Sequence, residues 1–393
     1  GALTLNGDLI STTAGTIDIT GTLTLDGDSS IITAGGSNNH VTVTGAVDAT
    51  SGGLTVNAGA GNVNFISDVG QNNRLAYFII NATNISAHKV ATTGDQTYNG
   101  ILATDGQMNA SVDGDITFGG NIILSGDVIV STASGDIIYN GTVNGAHNLI
   151  SAATGGASIF NGEVGGLTRL AGFTSNGQTR LNASIGTTGD QVYNAGVVLG
   201  EDVTIEAKNI TFNGTINSDD PSTPRALTVN SSGSGETRFF GTVGGTAPLA
   251  SITTNTDGVT KIGASMATTS GMTFGDPVRL TADATLNGGT GSLFFRNAID
   301  ADATATDPVL ILLSDAAADG DNTPFMFNAS IGATRQLGGL TLGADRSAPR
   351  GATAVFSDGF QADGTILASS FHSGDTFTIR TGDGGFTMGR GQK

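Results

Sequence analysis

The sequence predicts an all-β fold, and within that class a right-handed parallel β-helix, or β-solenoid, with coils of about 20 residues. Apolar and polar residues alternate over four or five positions, and each run ends at glycine accompanied by Asp, Asn or Ser. An aromatic residue returns at the ends of such runs, often at steps of 19 to 21 residues. No stretch combines sustained helical periodicity with helix caps, so we expect very little helix.

The strands are the shortest repeating element. Alternation is clear in four early runs, namely Leu3-Thr-Leu5, Ile17-Asp-Ile19, Leu23-Thr-Leu25 and Val41-Thr-Val43. Successive side chains of a strand point to opposite sides, so these runs predict strands with one buried face.

Glycine followed by aspartate marks the predicted corners between strands. The pairs Gly7-Asp8, Gly114-Asp115, Gly126-Asp127 and Gly135-Asp136 each precede a new apolar run. We expect each glycine to supply a positive φ angle and each aspartate to accept hydrogen bonds from amides close to it in the chain.

A longer repeat of about 80 to 95 residues is superimposed on the coils. An aliphatic residue followed by glycine has a leucine six positions later in four places, namely Val69/Leu75, Val164/Leu170, Val243/Leu249 and Ile331/Leu337. Roughly twenty residues further on, Thr92-Thr-Gly-Asp-Gln-Thr-Tyr98 returns as 187–193 and, in altered form, as 268–274. This recurrence favours stacked coils over a sandwich or barrel, where each copy would lie in a different environment.

Aromatic residues at strand ends are predicted to form an internal stack. A coil that returns to the same corner places such rings above one another, about 4.8 Å apart. The predicted members are Phe65, Tyr98, Phe118, Tyr139, Phe160, Tyr193, Phe212, Phe240, Phe274, Phe295, Phe327 and Phe356. A platform for ligand binding is the alternative role.

The chain is predicted to be one continuous domain of roughly 16 to 19 coils. Residues 1–64 form regular coils, residues 65–356 carry the long repeat, and residues 357–393 continue the coil, either truncated or contacting a neighbour. All seven prolines follow residue 220, so we expect protruding loops near 217–226 and 300–324, because proline cannot donate to a ladder. Right-handedness follows from the strong preference of parallel crossover connections.

Composition excludes several classes of protein and of site. The chain has no cysteine, which excludes disulfides, thiolate zinc sites and a cysteine nucleophile. Its net charge of -18, with only four lysines (Lys89, Lys208, Lys261 and Lys393), provides no basic stripe for nucleic acid. No apolar run approaches the roughly 18 residues of a membrane span, so we expect no membrane insertion.

Part of the chain resembles known repeat arrays. The segments that carry the resemblance are Val164–Phe173, Thr187-Thr-Gly-Asp-Gln-Val-Tyr193-Asn, Val197–Ile205 and Asn209–Ile216. They resemble the β-strand repeats of giant bacterial surface proteins similar to filamentous haemagglutinins and autotransporter passenger domains, over roughly residues 60 to 345. The resemblance implies a secreted, fibre-forming β-helix on the cell surface with adhesive or structural work, and it carries over no catalytic residues.

We therefore expect a structural, non-catalytic extracellular fibre or adhesin stalk, with no catalytic, cofactor-binding or metal-binding residues. The alternative is a carbohydrate-binding or carbohydrate-cleaving β-helix, which needs paired carboxylates and a site built by the two predicted loops. The four histidines, His40, His88, His147 and His372, are scattered along the sequence. Asp315, Asp319, Asp321 and Asn322 could supply oxygen ligands to calcium, but a solvated acidic loop is the preferred interpretation.

Two further expectations concern modification and partners. Eight Asn-X-Ser/Thr sequons, beginning at Asn81, Asn84, Asn109, Asn140, Asn182, Asn209, Asn213 and Asn328, reflect composition or glycosylation. Neither terminus has a capping pattern, so we expect either continuation of the coils in a longer chain or end-to-end self-association. Host or matrix glycans or proteins are the other expected partners.

Overall fold

The computed structural model describes residues 2–315 and 325–343, together with the backbone of three strands at 352–356, 366–368 and 377–381. The contacts between Cα atoms divide the chain into two compact units, Gly1–Gly189 (unit 1) and Asp190–Lys393 (unit 2). Each unit is described separately.

Unit 1 consists of short strands. They are β1 (Leu3–Leu5), β2 (Leu9–Ser11), β3 (Ile17–Ile19), β4 (Leu23–Asp26), β5 (Ser29–Ile32), β6 (Val41–Val43), β7 (Val47–Ser51), β8 (Leu54–Asn57), β9 (Asn62–Phe65), β10 (Phe78–Ser86), β11 (Val90–Thr92), β12 (Gln96–Thr104), β13 (Gln107–Ala110), β14 (Ile116–Phe118), β15 (Ile122–Leu124), β16 (Val128–Thr132), β17 (Ile137–Tyr139), β18 (Val143–Asn144), β19 (Asn148–Ala153), β20 (Ala157–Phe160), β21 (Gly172–Ser175), β22 (Gln178–Leu181) and β23 (Ile185–Gly186).

Unit 2 is built in the same way. Its strands are β24 (Gln191–Tyr193), β25 (Val197–Leu199), β26 (Val203–Ala207), β27 (Ile210–Phe212), β28 (Ile216–Ser218), β29 (Leu227–Ser231), β30 (Glu236–Phe239), β31 (Ile252–Thr254), β32 (Val259–Ile262), β33 (Met266–Ala267), β34 (Met272–Phe274), β35 (Val278–Leu280), β36 (Ala284–Asn287), β37 (Leu293–Phe295), β38 (Ile299–Ala301), β39 (Val309–Leu313), β40 (Phe325–Phe327), β41 (Gly339–Gly343), β42 (Ala352–Phe356), β43 (Ile366–Ala368) and β44 (Phe377–Thr381).

The strands stack in parallel from coil to coil, which confirms the predicted β-solenoid. In unit 2, for example, one ladder runs β24-β27-β30-β32-β35-β38 and a second runs β26-β29-β31-β34-β37-β40-β42-β44. Strands make up 51% of the chain, and no helix occurs in the described part of it. About 14 turns with coils about 21 residues apart replace the predicted 16 to 19 coils. The count is lower because some coils are long, as between the paired residues Ile216 and Val243.

Alternation along the strands creates the core, as predicted. Leu23 and Leu25 of β4 are fully buried, whereas Thr24 between them is partly exposed. Val41 and Val43 of β6 are buried in the same way. Burial of the inward face of each strand stabilises the stack, because an isolated strand of this length is not stable in water.

Ten of the twelve predicted stack aromatics are buried, with exposures of 2% or less. Rings on successive coils lie 4.4 to 5.4 Å apart in seven nearly parallel pairs, such as Tyr139 and Phe160. The prediction for Phe240 is wrong. Phe240 is 43% exposed, and its neighbour Phe239 is buried against Phe212, because alternation turns only one of two adjacent residues inward. The side chain of Phe356 lies outside the described residues.

The Gly7-Asp8 corner agrees with the prediction, because Asp8 accepts a hydrogen bond from the nearby amide of Asn6 at 2.9 Å, but the other three Gly-Asp corners are built differently. Of the four predicted glycines only Gly7 has a positive φ, 72°. Gly114 is required for a different reason, because a Cβ atom there would lie 2.1 Å from the carbonyl carbon of Gly94 on the preceding coil. Asp115 accepts a hydrogen bond from the amide of Asp136, one coil further on, at 2.7 Å. The corners at Asp115, Asp127 and Asp136 therefore connect coils along the stack instead of closing local turns.

The long repeat corresponds to a loop in each copy, which we call the clamp loop (70–75, 165–170, 244–249 and 332–337). Its first residue is a glycine with φ between 69 and 71° in all four copies. A Cβ atom on Gly70 would lie 2.1 Å from the carbonyl oxygen of Ala91, so the position requires glycine for both conformation and space. The leucine that ends each loop is buried.

Each clamp loop is held by an Asp or Asn side chain on the coil before it. The Oδ1 atom of that side chain accepts hydrogen bonds from two successive loop amides, at 2.9 to 3.3 Å. The four acceptors are Asp48, Asn144, Asn217 and Asp300. The repeated glycine and leucine mark the loops in the sequence, but no motif marks these four acceptors.

The Thr-Thr-Gly-Asp-Gln-X-Tyr motif places a hydrogen-bonded pair in the core. Gln96 is fully buried and its amide donates to the carbonyl oxygen of Asn109 at 3.0 Å. The Tyr98 hydroxyl donates to Oε1 of Gln96 at 2.8 Å. Gln191 and Tyr193 repeat the pair at 2.9 Å, whereas Met272 and Phe274 occupy the same positions in the altered copy. In the altered copy, the glutamine side-chain amide and the tyrosine hydroxyl are therefore replaced together.

The prolines of the described residues lie outside strands, as predicted. The loop at 219–226 is closed by its own side chains, since Asp220 accepts from the amide of Ser222 at 2.8 Å. The predicted insertion at 300–324 is smaller than expected, because its residues include part of β38 and the whole of β39. The apolar run Val309–Leu313 pairs with β36 and is too buried for a protruding loop. Residues 316–324 lie outside the described part.

Candidate functional site: a charged groove in unit 2

Outward-facing side chains of one ladder in unit 2 form a charged column. In the register of β30, β32, β35 and β38, Arg238 lies opposite Lys261, Lys261 opposite Arg279, and Arg279 opposite Asp300. Thr211 occupies the same position on the coil before Arg238. Three successive coils therefore place a cation at one position of the ladder.

Acidic side chains compensate these cations. Glu236 forms ion pairs with Arg238 and, at 3.3 Å, with the Nζ atom of Lys261. Asp302 contacts the same Nζ atom at 3.2 Å. Because both carboxylates meet one ammonium group, Oε1 of Glu236 and Oδ2 of Asp302 lie within 6.5 Å of each other.

Asp300 connects the column to a clamp loop. Its side chain is 1% exposed, and its Oδ2 atom pairs with the guanidinium group of Arg279. Its Oδ1 atom accepts hydrogen bonds from the amides of Thr334 at 2.9 Å and Arg335 at 3.2 Å. The buried carboxylate thus fixes the loop beside the cation column and leaves the Arg335 side chain exposed.

A groove of about 300 Å³ lies between the column and this loop. It is lined by Glu236, Val259, Lys261, Arg279, Ala301, Asp302, Ala303, Thr334 and Arg335. The lining offers carboxylate acceptors beside ammonium and guanidinium donors, over a small apolar floor. Such a site suits a ligand that carries both hydroxyl groups and a negative charge.

The protonation of Asp302 bears on catalysis. Burial alone would raise the pKa of Asp302, but hydrogen bonds from the amide and hydroxyl of Thr304 and the charge of Lys261 outweigh it. The net result is a pKa below the ordinary value, so Asp302 is ionised at neutral pH. Acid-catalysed glycoside cleavage needs one protonated carboxyl group, and Asp302 does not provide it.

The groove was not predicted from the sequence, although one pattern in the sequence indicates it. Arg238, Lys261 and Arg279 follow one another at intervals of about one coil, each between two inward-facing residues. Asp302 and Ala303 belong to the predicted 300–324 insertion, so one of the two predicted loops does contribute to the groove. The other predicted loop, 217–226, does not line it.

The other candidate residues do not assemble into a site. His88 pairs with Asp105 at 2.6 Å and lies 3.9 Å from Asp68, while His40 accepts from the amide of Asn62 at 3.0 Å. Within residues 2–315 and 325–343, no group of three His, Cys, Asp or Glu side chains could hold a metal ion. The solvated acidic loop preferred over a calcium site stays untested, because Asp319, Asp321 and Asn322 lie outside the described residues.

Several sequon asparagines form amide ladders on the outside of the coils. Asn182 donates to Asn161 at 2.6 Å, and Asn161 donates to Asn140 at 2.8 Å. Asn99 donates to the sequon residue Asn81 at 2.8 Å. The ladders give these asparagines a structural role, and glycosylation stays a prediction.

No helix in the described residues is long and apolar enough to cross a membrane. Comparison with protein families, with curated proteins and with solved structures gives no match for this chain.

Proposed function

We propose that the chain is a structural, non-catalytic part of an extracellular fibre or adhesin stalk on a bacterial cell surface. The observation that carries the proposal is the regular coil-on-coil pairing, with an aromatic stack inside each unit and amide ladders outside it. Each coil contacts only its neighbours in such a stack, so the stack lengthens by the addition of coils. This is the property that a stalk requires.

The extracellular location is supported by two features of the sequence. The repeats of residues 60 to 345 resemble those of filamentous haemagglutinins and autotransporter passenger domains. The chain also holds its fold without cysteine, and its net charge of -18 favours solubility and discourages lateral clumping. End-to-end association with further coils, in the same or another chain, is part of the proposal, as are host or matrix glycans or proteins as partners.

Antibodies raised against unit 1 and unit 2 test the location and the role. Both should label intact, unpermeabilised source cells, and in-frame deletion of residues 60–345 should reduce attachment of the cells to a surface. Labelling that requires permeabilised cells would contradict the proposal.

A carbohydrate-binding β-helix is the second candidate, and the charged groove favours it. Glu236 and Asp302 lie on either side of Lys261 in a groove of sugar-ring size. Binding is the part of this candidate that the groove supports, because its carboxylates lie beside cations that can hold a charged ligand. Polysaccharide cleavage by the purified chain, lost on shortening the 302–308 connection, would favour an enzyme instead.

A further inference from the structure

The fold does not require the cation column. Like charges directly opposite one another on a ladder would destabilise a sheet, and here each cation has a carboxylate partner that offsets this effect. The coil before the column carries Thr211 at the same position, so a neutral residue satisfies the ladder there. A charged cluster that the ladder does not require is expected where function has selected the side chains.

Some donors in the groove are already used and others are not. Lys261 contacts Glu236 and Asp302, which occupies two of the three donors of its ammonium group. Arg279 pairs with the buried Asp300. Arg335 is exposed and makes no ion pair within the described part of the chain, so its five N–H groups face the groove and solvent. A single carboxylate can therefore be bound by Arg335 and the third donor of Lys261.

The carboxylate acceptors in the groove favour a ligand whose hydroxyl groups can donate hydrogen bonds to them. Glu236 and Asp302 are carboxylates that already have cationic partners but keep lone pairs for additional donors. The groove lies on the face of a ladder, where side chains and not backbone edges are presented. A peptide therefore cannot bind here by adding a strand, and the carboxylate acceptors beside the cations match the hydroxyl groups of a sugar.

We propose that this groove binds a uronic acid residue of an acidic polysaccharide. The sugar carboxylate pairs with Arg335 and Lys261, its hydroxyl groups donate to Glu236 and Asp302, and its ring lies over Val259 and Ala301. This inference rests on the second candidate function, carbohydrate binding, and is independent of the stalk role, since a stalk needs no ligand.

The test is isothermal titration calorimetry of the full chain with a galacturonic acid trimer. The neutral galactose trimer and triglutamate serve as comparison ligands. Arg335→Gln should weaken binding of the acidic trimer about 10-fold, because it removes a charge-assisted hydrogen bond. Arg296→Gln is the matched control, since Arg296 lies over the Phe294 ring, 5.1 Å from its centroid, and does not line the groove.

The proposal expects the acidic trimer to bind at least about 10-fold more tightly than either comparison ligand. Equal affinity of the Arg335→Gln chain and the wild-type chain would overturn it. Equal binding of triglutamate, or no binding of the acidic trimer at millimolar concentration, would also overturn it. Because Arg335 is exposed, its replacement leaves the core intact, and equal melting curves of the two variants confirm this.

Discussion

Gln96 and Tyr98 form a buried hydrogen bond whose two side chains are either both present or both replaced in the copies of the repeat. Gln96→Met should destabilise the fold by about 2 kcal/mol, because it leaves the Tyr98 hydroxyl and the Asn109 carbonyl without their partner in the core. The double variant Gln96→Met/Tyr98→Phe should lose less than the sum of the two single variants. Its chemistry is that of Met272 and Phe274 in the altered copy. Urea denaturation of the four chains measures this coupling.

Additive losses in this cycle would show that Gln96 and Tyr98 act independently. Gln191→Met with Tyr193→Phe provides a matched cycle in unit 2, where the hydroxyl-to-amide distance is 2.9 Å.

Asp276 makes unit 2 sensitive to pH. It is fully buried, accepts from the Thr260 hydroxyl at 3.0 Å, and its Oδ1 atom has no hydrogen-bond partner within the described residues. Burial, opposed by the Thr260 hydrogen bond and reinforced by Asp257, raises the pKa of Asp276 from 3.8 to about 6. Between pH 3.8 and about 6, Asp276 is ionised in the unfolded chain but protonated in the folded chain. The free energy of unfolding therefore decreases as the pH rises through this range.

The side chain of the Asp276→Asn variant cannot ionise. The free energy of unfolding of the variant, measured relative to the wild type, should therefore increase by about 1 kcal/mol from pH 5 to pH 7.5. Urea midpoints at the two pH values measure the change. Asp307→Asn, at an exposed position of the same unit, is the control for replacing an aspartate by asparagine. A relative stability of Asp276→Asn that is the same at both pH values would refute the account of this buried carboxyl group.

At the level of single residues, the sequence predicted burial better than it predicted interactions. Alternation identified the inward positions, and it failed at Phe240 only because two phenylalanines are adjacent. The contact of Gln96 with Asn109 was not predictable, since Asn109 lies 13 positions away on the next coil, although the Tyr98 partner belongs to the same strand. Asp115 likewise bonds to a residue 21 positions away, which a search for local turns cannot find.

The clamp loop is the element that distinguishes the long repeat from ordinary coils. Asn144→Ala should release the amides of Leu167 and Thr168, which now donate to Oδ1 at 2.9 and 3.0 Å. We expect a loss of about 1 kcal/mol and about 10-fold faster hydrogen exchange at these amides, because the loop opens locally. Hydrogen exchange followed by mass spectrometry measures this effect.

Asn144→Asp is the matched control for the clamp, because Asp48 and Asp300 perform the same task in other copies. Protection equal to the wild type is expected for this variant. Unchanged exchange in Asn144→Ala would mean that the buried Leu170 alone holds the loop.

Only half of the clamp was predictable from the sequence. The glycine and the leucine stand six positions apart or fewer and recur four times, so they are visible as a motif. Their acceptors precede the loop glycine by 21 to 32 residues, and this interval changes with the length of each coil. In a chain rich in Asn and Asp, such a variable spacing gives no recognisable pattern.

For the whole molecule, the repeat predicted the architecture but not the number of coils. About 14 turns are present because connections such as 302–308 lengthen individual coils beyond the regular 21 residues. The charged groove also emerges only at this scale. Its side chains come from four strands and a clamp loop that are spread over a hundred residues.

We propose that stacked coils of this chain form a structural part of a surface fibre. Diffraction from fibres sheared off the source cells, combined with identification of their peptides, tests this proposal. We expect peptides from both units in the fibre and an axial reflection near 4.8 Å, the spacing of strands paired along the fibre. Fibres without these peptides, or with these peptides but no such reflection, would contradict it.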